Sequence, residues 1–85
     1  MKSFSYTITD NMGLHAQPAG YLTKLAQSFP CRITIIQGSR RADAKKLFGI
    51  LGLGVKCRQE IILEAEGDRE DEAASALREF LERNL

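Results

Sequence analysis

In Phe4-Ser5-Tyr6-Thr7-Ile8-Thr9 apolar side chains alternate with hydroxyl side chains, and Asp10-Asn11-Met12-Gly13 follows without a break. A period of two marks a strand with one buried and one wet face, and the Asx and glycine residues behind it supply a turn. The chain therefore opens with a strand and then reverses. Past the turn, Leu22, Leu25, Ala26 and Phe29 recur at helical spacing. Pro18 suits a first helical turn, where its missing N–H forfeits no intrahelical bond. The spacing predicts a helix from about residue 16 to 28, closed by Pro30. Ile33 and Ile35 share one face of an isoleucine-rich strand, Gly38-Ser39 supplies a turn, and Arg40-Arg41-Ala42 starts a short return strand, which makes a hairpin.

Ala44, Leu47, Phe48 and Leu51 recur at i, i+3, i+4 and i+7, so a short helix is predicted near residues 46–52, weak alone because it contains Gly49 and Gly52. Ile61, Leu63 and Ala65 alternate with Ile62, Glu64 and Glu66 in a last strand. Asp68 to Glu72 place acids at the start of a final helix, where its dipole favours them, and Ala73, Leu77, Phe80 and Leu81 form its core stripe. The order β-α-β-β-α-β-α, without repeats or linkers, predicts an α+β fold. Its expected form is a four-stranded antiparallel sheet with three helices on one face, in a single domain of residues 1–85.

A chain of 85 residues is expected to bury one core, and its 44% hydrophobic and 27% charged residues match folded rather than disordered sequences. No apolar run reaches the roughly 18–20 residues a membrane helix needs. Met1-Lys2-Ser3-Phe4-Ser5-Tyr6 also lacks the apolar centre of a secretory signal, so a cytoplasmic chain without membrane insertion is expected. Cys31 and Cys57 are too few for a disulfide framework and are expected to be buried spectators. Net charge is +1, yet residues 1–59 carry nine Lys and Arg against two Asp and Glu, while residues 60–85 carry three against nine. That asymmetry reads either as a basic and an acidic face or as two solvated surfaces.

The one histidine, His15, lies in Met12-Gly13-Leu14-His15-Ala16-Gln17-Pro18-Ala19, between the turn and the helix start. First-turn amides of a helix lack intrahelical acceptors and usually take them from Ser, Thr, Asp or Asn at the cap. His15, Ala16 and Gln17 offer none, so those amides and the positive end of the dipole are free to hold an anion against the imidazole. An imidazole, with an intrinsic pKa near 6.5, is partly unprotonated at neutral pH and can attack an electrophilic phosphorus. A solitary histidine is also compatible with a purely structural role. No second histidine, Ser/His/Asp set or paired carboxylate converges with it, which argues against autonomous hydrolysis. One histidine and two distant cysteines make no zinc site, and neither metal nor cofactor is expected.

Across essentially its whole length the chain resembles the histidine-containing phosphocarrier (HPr) family of the bacterial phosphoenolpyruvate:sugar phosphotransferase system. Gly13-Leu14-His15-Ala16-Gln17-Pro18-Ala19 is similar to the family's Gly-Leu-His-Ala-Arg-Pro-Ala active loop. Ala44-Lys45-Lys46-Leu47-Phe48-Gly49 and Ala65-Glu66-Gly67 fall where the family has similar segments. The resemblance implies an open-faced β-sandwich and a phosphoryl group carried on His15, supported by Ala16 and Gln17. It implies receipt from enzyme I and delivery to sugar-specific IIA domains; a monomer is expected. A docking patch beside His15 would comprise Lys24, Lys46, Leu47, Phe48 and Leu51, with at least half of the Leu47 to Leu51 segment committed to the core.

Two departures stand out. Gln17 occupies the place of the family's arginine, and a neutral amide lacks the charge and the paired donors a guanidinium offers phosphate. A loss of that kind is worth roughly 1.5–3 kcal/mol, or about tenfold to a hundredfold in rate, unless Lys24, Lys45 or Lys46 supplies the charge. Lys46 stands where many members carry a regulatory serine, so kinase control at that position is absent. Two rival readings remain. A degenerate member that docks without transferring phosphate is favoured by Gln17 and opposed by His15. A nucleic-acid-binding module would share the element order, but Ile33 to Ile36 and Ile61 to Ala65 present no aromatic ring for base stacking, and no nucleic-acid partner is expected.

Overall fold

The alternating strands pair around the last of them. The computed structural model describes residues 1–85 and contains β1 (Lys2–Thr7), α1 (Ala16–Gln27), β2 (Arg32–Gln37), β3 (Arg40–Asp43), α2 (Leu47–Gly52), β4 (Glu60–Glu66) and α3 (Glu70–Asn84). Sheet order is β1-β4-β2-β3, with every neighbouring pair antiparallel. Phe4 lies opposite Leu63 and Leu63 opposite Ile35, so these three share a face, while Ser3, Glu64 and Thr34 share the other. Phe4, Ile33, Ile35, Ile61, Leu63 and Ala65 are all buried on the first face. There α3 packs on β1 and β4, α2 packs on β3, and α1 touches both other helices. Ala19, Leu22 and Ala26 from α1, Ile50 from α2, and Ala73, Leu77 and Leu81 from α3 close the cluster.

Short α2 shows which effect wins locally. Its two glycines cost about 0.8–1.0 kcal/mol each relative to alanine, whereas burying Ile50 contributes about 1.5–3 kcal/mol. The Arg40 guanidinium adds a cap, donating to the Gly52 carbonyl at 2.7 Å and to Leu53 at 3.4 Å. At the start of α3, the Gly67 amide donates to Glu70 Oε1 at 2.9 Å while the Glu70 amide returns a bond to the Gly67 carbonyl at 3.3 Å. This pairing places Arg69 in the left-handed region, φ 62°, and points acids into the first turn.

The expected α+β order is present throughout, with three corrections of detail. Cys31 is buried, but Cys57 is only half-buried, because Leu53 and Val55 anchor their loop and leave residues 56–59 as a surface turn; both thiols are free. Phe80 sits at the edge of the α3 stripe and is half-buried, packed against the cluster rather than inside it. The regular ladder of β1 stops at Thr7 rather than Thr9, because Arg58 takes a left-handed conformation, φ 73°, opposite Ile8. Ile8 is nevertheless fully buried, held by the Gln59 carbonyl and the Arg58 amide.

Candidate functional site

The loop before α1 is fixed from both sides. Gly13 has φ 68°, and a side-chain carbon there would collide with the Val55 carbonyl and come within 2.7 Å of Lys56 Cα, so only glycine fits. Leu14 is buried, and its amide donates to Val55 O at 3.0 Å. Asp10 forms an Asx turn, its Oδ1 accepting the Met12 amide at 2.8 Å, while the Gly13 amide reaches the Asp10 carbonyl at 2.9 Å. The Thr9 hydroxyl and the Thr9 and Asp10 amides all donate to the Leu85 carbonyl, which ties this loop to the far end of α3.

His15 emerges from that loop as the N-cap of α1, in extended conformation and with no side-chain cap bond. Its own amide turns back to the Gly13 carbonyl at 3.0 Å, and the first intrahelical bond is Ala19 N–H to the His15 carbonyl. The Ala16 and Gln17 amides have no acceptor, and Pro18 has no amide to offer. No acid occupies the first turn of α1. The ring is 28% exposed, and its Nε2 lies 3.8 Å from Asp10 Oδ1. Asp10, Gln17, Pro18, Tyr21 and Asn84 share its cleft. An anion at this spot would meet two unused backbone donors, the helix dipole and an imidazole nitrogen.

A second concavity, between α1 and α2, is lined by Gln17, Gly20, Tyr21, Thr23, Lys24, Gln27 and Leu47. Gln17 and Tyr21 belong to both clefts, so the groove runs directly into the histidine site. Beside it α2 divides its apolar residues: Ile50 is buried, Leu47 and Leu51 are half-buried, and Phe48 is 85% exposed. Lys24 and Lys46 are exposed.

Lys45 departs from its expected use as a source of charge for His15. Its Nζ donates to the Phe29 carbonyl at 2.7 Å, beyond the opposite end of α1. Lys24 follows Gln17 by two helical turns, about 10 Å along the axis, and Lys46 precedes α2. Lys45, held at the Phe29 carbonyl, therefore does not restore the charge lost with arginine, while Lys24 lines the same groove as Gln17. Asp10, Tyr21 and Asn84 escaped the sequence reading as neighbours of His15. Asp10 read only as a turn residue, and Asn84 is brought in by tertiary packing that leaves no local signal. No cluster of three His, Cys, Asp or Glu is arranged to hold a metal. The open sheet face carries Ser3, Ser5, Thr34, Ile36, Ile62 and Glu64, with no aromatic ring.

A family model described as "PTS HPr component phosphorylation site" matches residues 2–83. The phosphocarrier protein HPr of Mycoplasma capricolum subsp. capricolum is 37% identical over 81 residues, 95% of this chain and 91% of that one. Among solved structures, HPr-C-His from Thermoanaerobacter tengcongensis superposes with a TM-score of 0.92 at 36% identity, covering 96% of this chain and 92% of that one. A chain of the HPr dimer from the same organism, also 36% identical, covers 98% and 95% but reaches only 0.78. With this likeness spanning both the histidine loop and the sheet behind it, the chain belongs to the HPr phosphocarrier family of the phosphotransferase system.

Proposed function

We propose that this chain accepts a phosphoryl group on His15 from enzyme I and passes it to sugar-specific IIA domains, acting in the cytoplasm as a single-domain monomer. The observation that carries the reading is the half-buried imidazole at the head of α1 beside two unused amides, Ala16 and Gln17. In the transfer step an imidazole lone pair forms the N–P bond as the donor's bond to phosphorus breaks, its electron pair staying with the donor. The free amides meet the phosphoryl oxygens. The reverse step on an acceptor restores the neutral ring. Lys24, Lys46, Leu47, Phe48 and Leu51 form the docking rim, with Phe48 as its apolar centre. The two free thiols suit a reducing compartment.

Incubation with enzyme I and phosphoenolpyruvate is expected to give an acid-labile adduct that His15→Ala abolishes, on a species that sediments as a monomer. Label that survives the substitution rejects His15 as the carrier. Gln17 favours one further reading, a docking protein that transfers poorly. That protein would bind enzyme I and remain unlabelled in the same assay.

A further inference from the structure

The geometry points to Asp10 as a positioning residue that selects which ring nitrogen of His15 presents its lone pair, an inference resting on the phosphocarrier reading above. One carboxylate oxygen, Oδ1, accepts the Met12 amide at 2.8 Å and faces His15 Nε2 at 3.8 Å. The Asx turn therefore holds a negative charge against one ring nitrogen before any partner arrives. A carboxylate at Nε2 favours the proton there and leaves the lone pair on Nδ1. When Nδ1 attacks, the new N–P bond uses that lone pair, Nε2 keeps its proton, and the ring gains one positive charge facing Asp10. The phosphoryl group sits on the other nitrogen, so the carboxylate is nearer the charge it stabilises than the one it repels. On delivery the N–P electrons return to Nδ1 and the ring is neutral again.

The other charges near the ring do not duplicate this. Gln17, Pro18 and Asn84 in the cleft are uncharged, and Tyr21 brings a phenol rather than a carboxylate. The Leu85 oxygen that accepts the Thr9 and Asp10 amides adds negative potential at the same loop. Asp10 is the one side chain in ion-pair range of the imidazole.

Two variants and two readouts test the assignment. Asp10→Asn keeps the acceptor for Met12 and removes the charge, whereas Asp10→Ala removes both. Phosphoramidate, a small chemical donor, labels the histidine without a protein partner. Labelling by it should slow about threefold to tenfold in Asp10→Asn, the size of a partly exposed ion pair, with at least as large a loss in Asp10→Ala. With enzyme I as donor the loss should appear in kcat rather than KM, because no docking residue has changed. In the unphosphorylated protein, nitrogen-15 shifts of the ring should show Nε2–H in the parent and relax towards free imidazole in Asp10→Ala. If Asp10→Asn labels at the parental rate, Asp10 serves only the turn and the inference is overturned. A parent that takes no label rejects the carrier reading instead, and the ring spectra then decide: identical nitrogen shifts in parent and Asp10→Ala overturn the Asp10 assignment.

Discussion

α1 and α3 begin in opposite ways. The first turn of α3 holds Glu70, Asp71 and Glu72, whose negative charges favour the positive end of that helix, and Glu70 also accepts the Gly67 amide of the turn before it. The first turn of α1 holds Ala16, Gln17 and Pro18, with no acid and no capping side chain, behind a loop that donates three bonds to the Leu85 oxygen and one to the Val55 carbonyl. The fold thus spends stabilising acids where only structure is at stake and withholds them where an anion must come and go. An uncapped helix start costs about 1 kcal/mol, a modest sum beside a core of 21 buried residues. The lesson is that an omission in sequence, repeated over the cap and three following positions, can mark a site as clearly as a reactive side chain.

The contrast is sharpened most by restoring charge to α1. Gln17→Arg should speed phosphorylation of His15 by about tenfold to a hundredfold with standard partners, since a guanidinium can pair with phosphate where the amide cannot. An unchanged or slower rate in a stopped transfer assay would show that Gln17 is not a deficit. The opposite substitution makes α1 resemble α3. Ala16→Asp places an acid in the first turn, and the exposed position accepts it without repacking. Thermal stability should rise by about 0.3–1 kcal/mol as the dipole is satisfied, while labelling slows on the order of tenfold because the carboxylate occupies the anion's place. Gain and loss moving together in one variant would demonstrate that the open helix end serves the phosphoryl group; a slower rate without a stability gain would point to simple loop damage.

Much of this arrangement was legible in the sequence because it is written locally. β1 and β4 each bury one face, so Phe4-Tyr6 and Ile61-Leu63-Ala65 show period two, and the bare start of α1 follows from four residue identities. What sequence could not supply is non-local. The placement of β4 between β1 and β2 joins segments dozens of residues apart, and antiparallel alternation alone does not specify that order. Lys45 looked like any surface lysine until the fold carried its ammonium to the Phe29 carbonyl. Asp10 looked like turn chemistry, which it is; that the same oxygen also faces His15 depends on how Gly13 and the Val55 loop bend the chain.

The smallest effect tests the other half of the comparison. The Gly67 amide, and after it the amino group of Met1, holds the Glu70 carboxyl below the usual carboxylate range. A folded-state value below the unfolded one means that Glu70 stabilises the protein at pH above the unfolded value, near 4.3, and that this contribution fades as pH falls through the depressed folded value. Glu70→Gln keeps an oxygen for Gly67 but loses the charge, so its melting temperature should fall slightly below the parent's at pH 7. The two proteins should converge in strong acid, where the parent's carboxyl is protonated as well. Labelling of His15 should not change, since the acids at the start of α3 pair with Met1, Lys2 and Arg69 and none of them pairs with the histidine. A stability gap of equal size at pH 7 and in strong acid would assign the cap to shape rather than charge, and the contrast between the two helix ends would then rest on α1 alone.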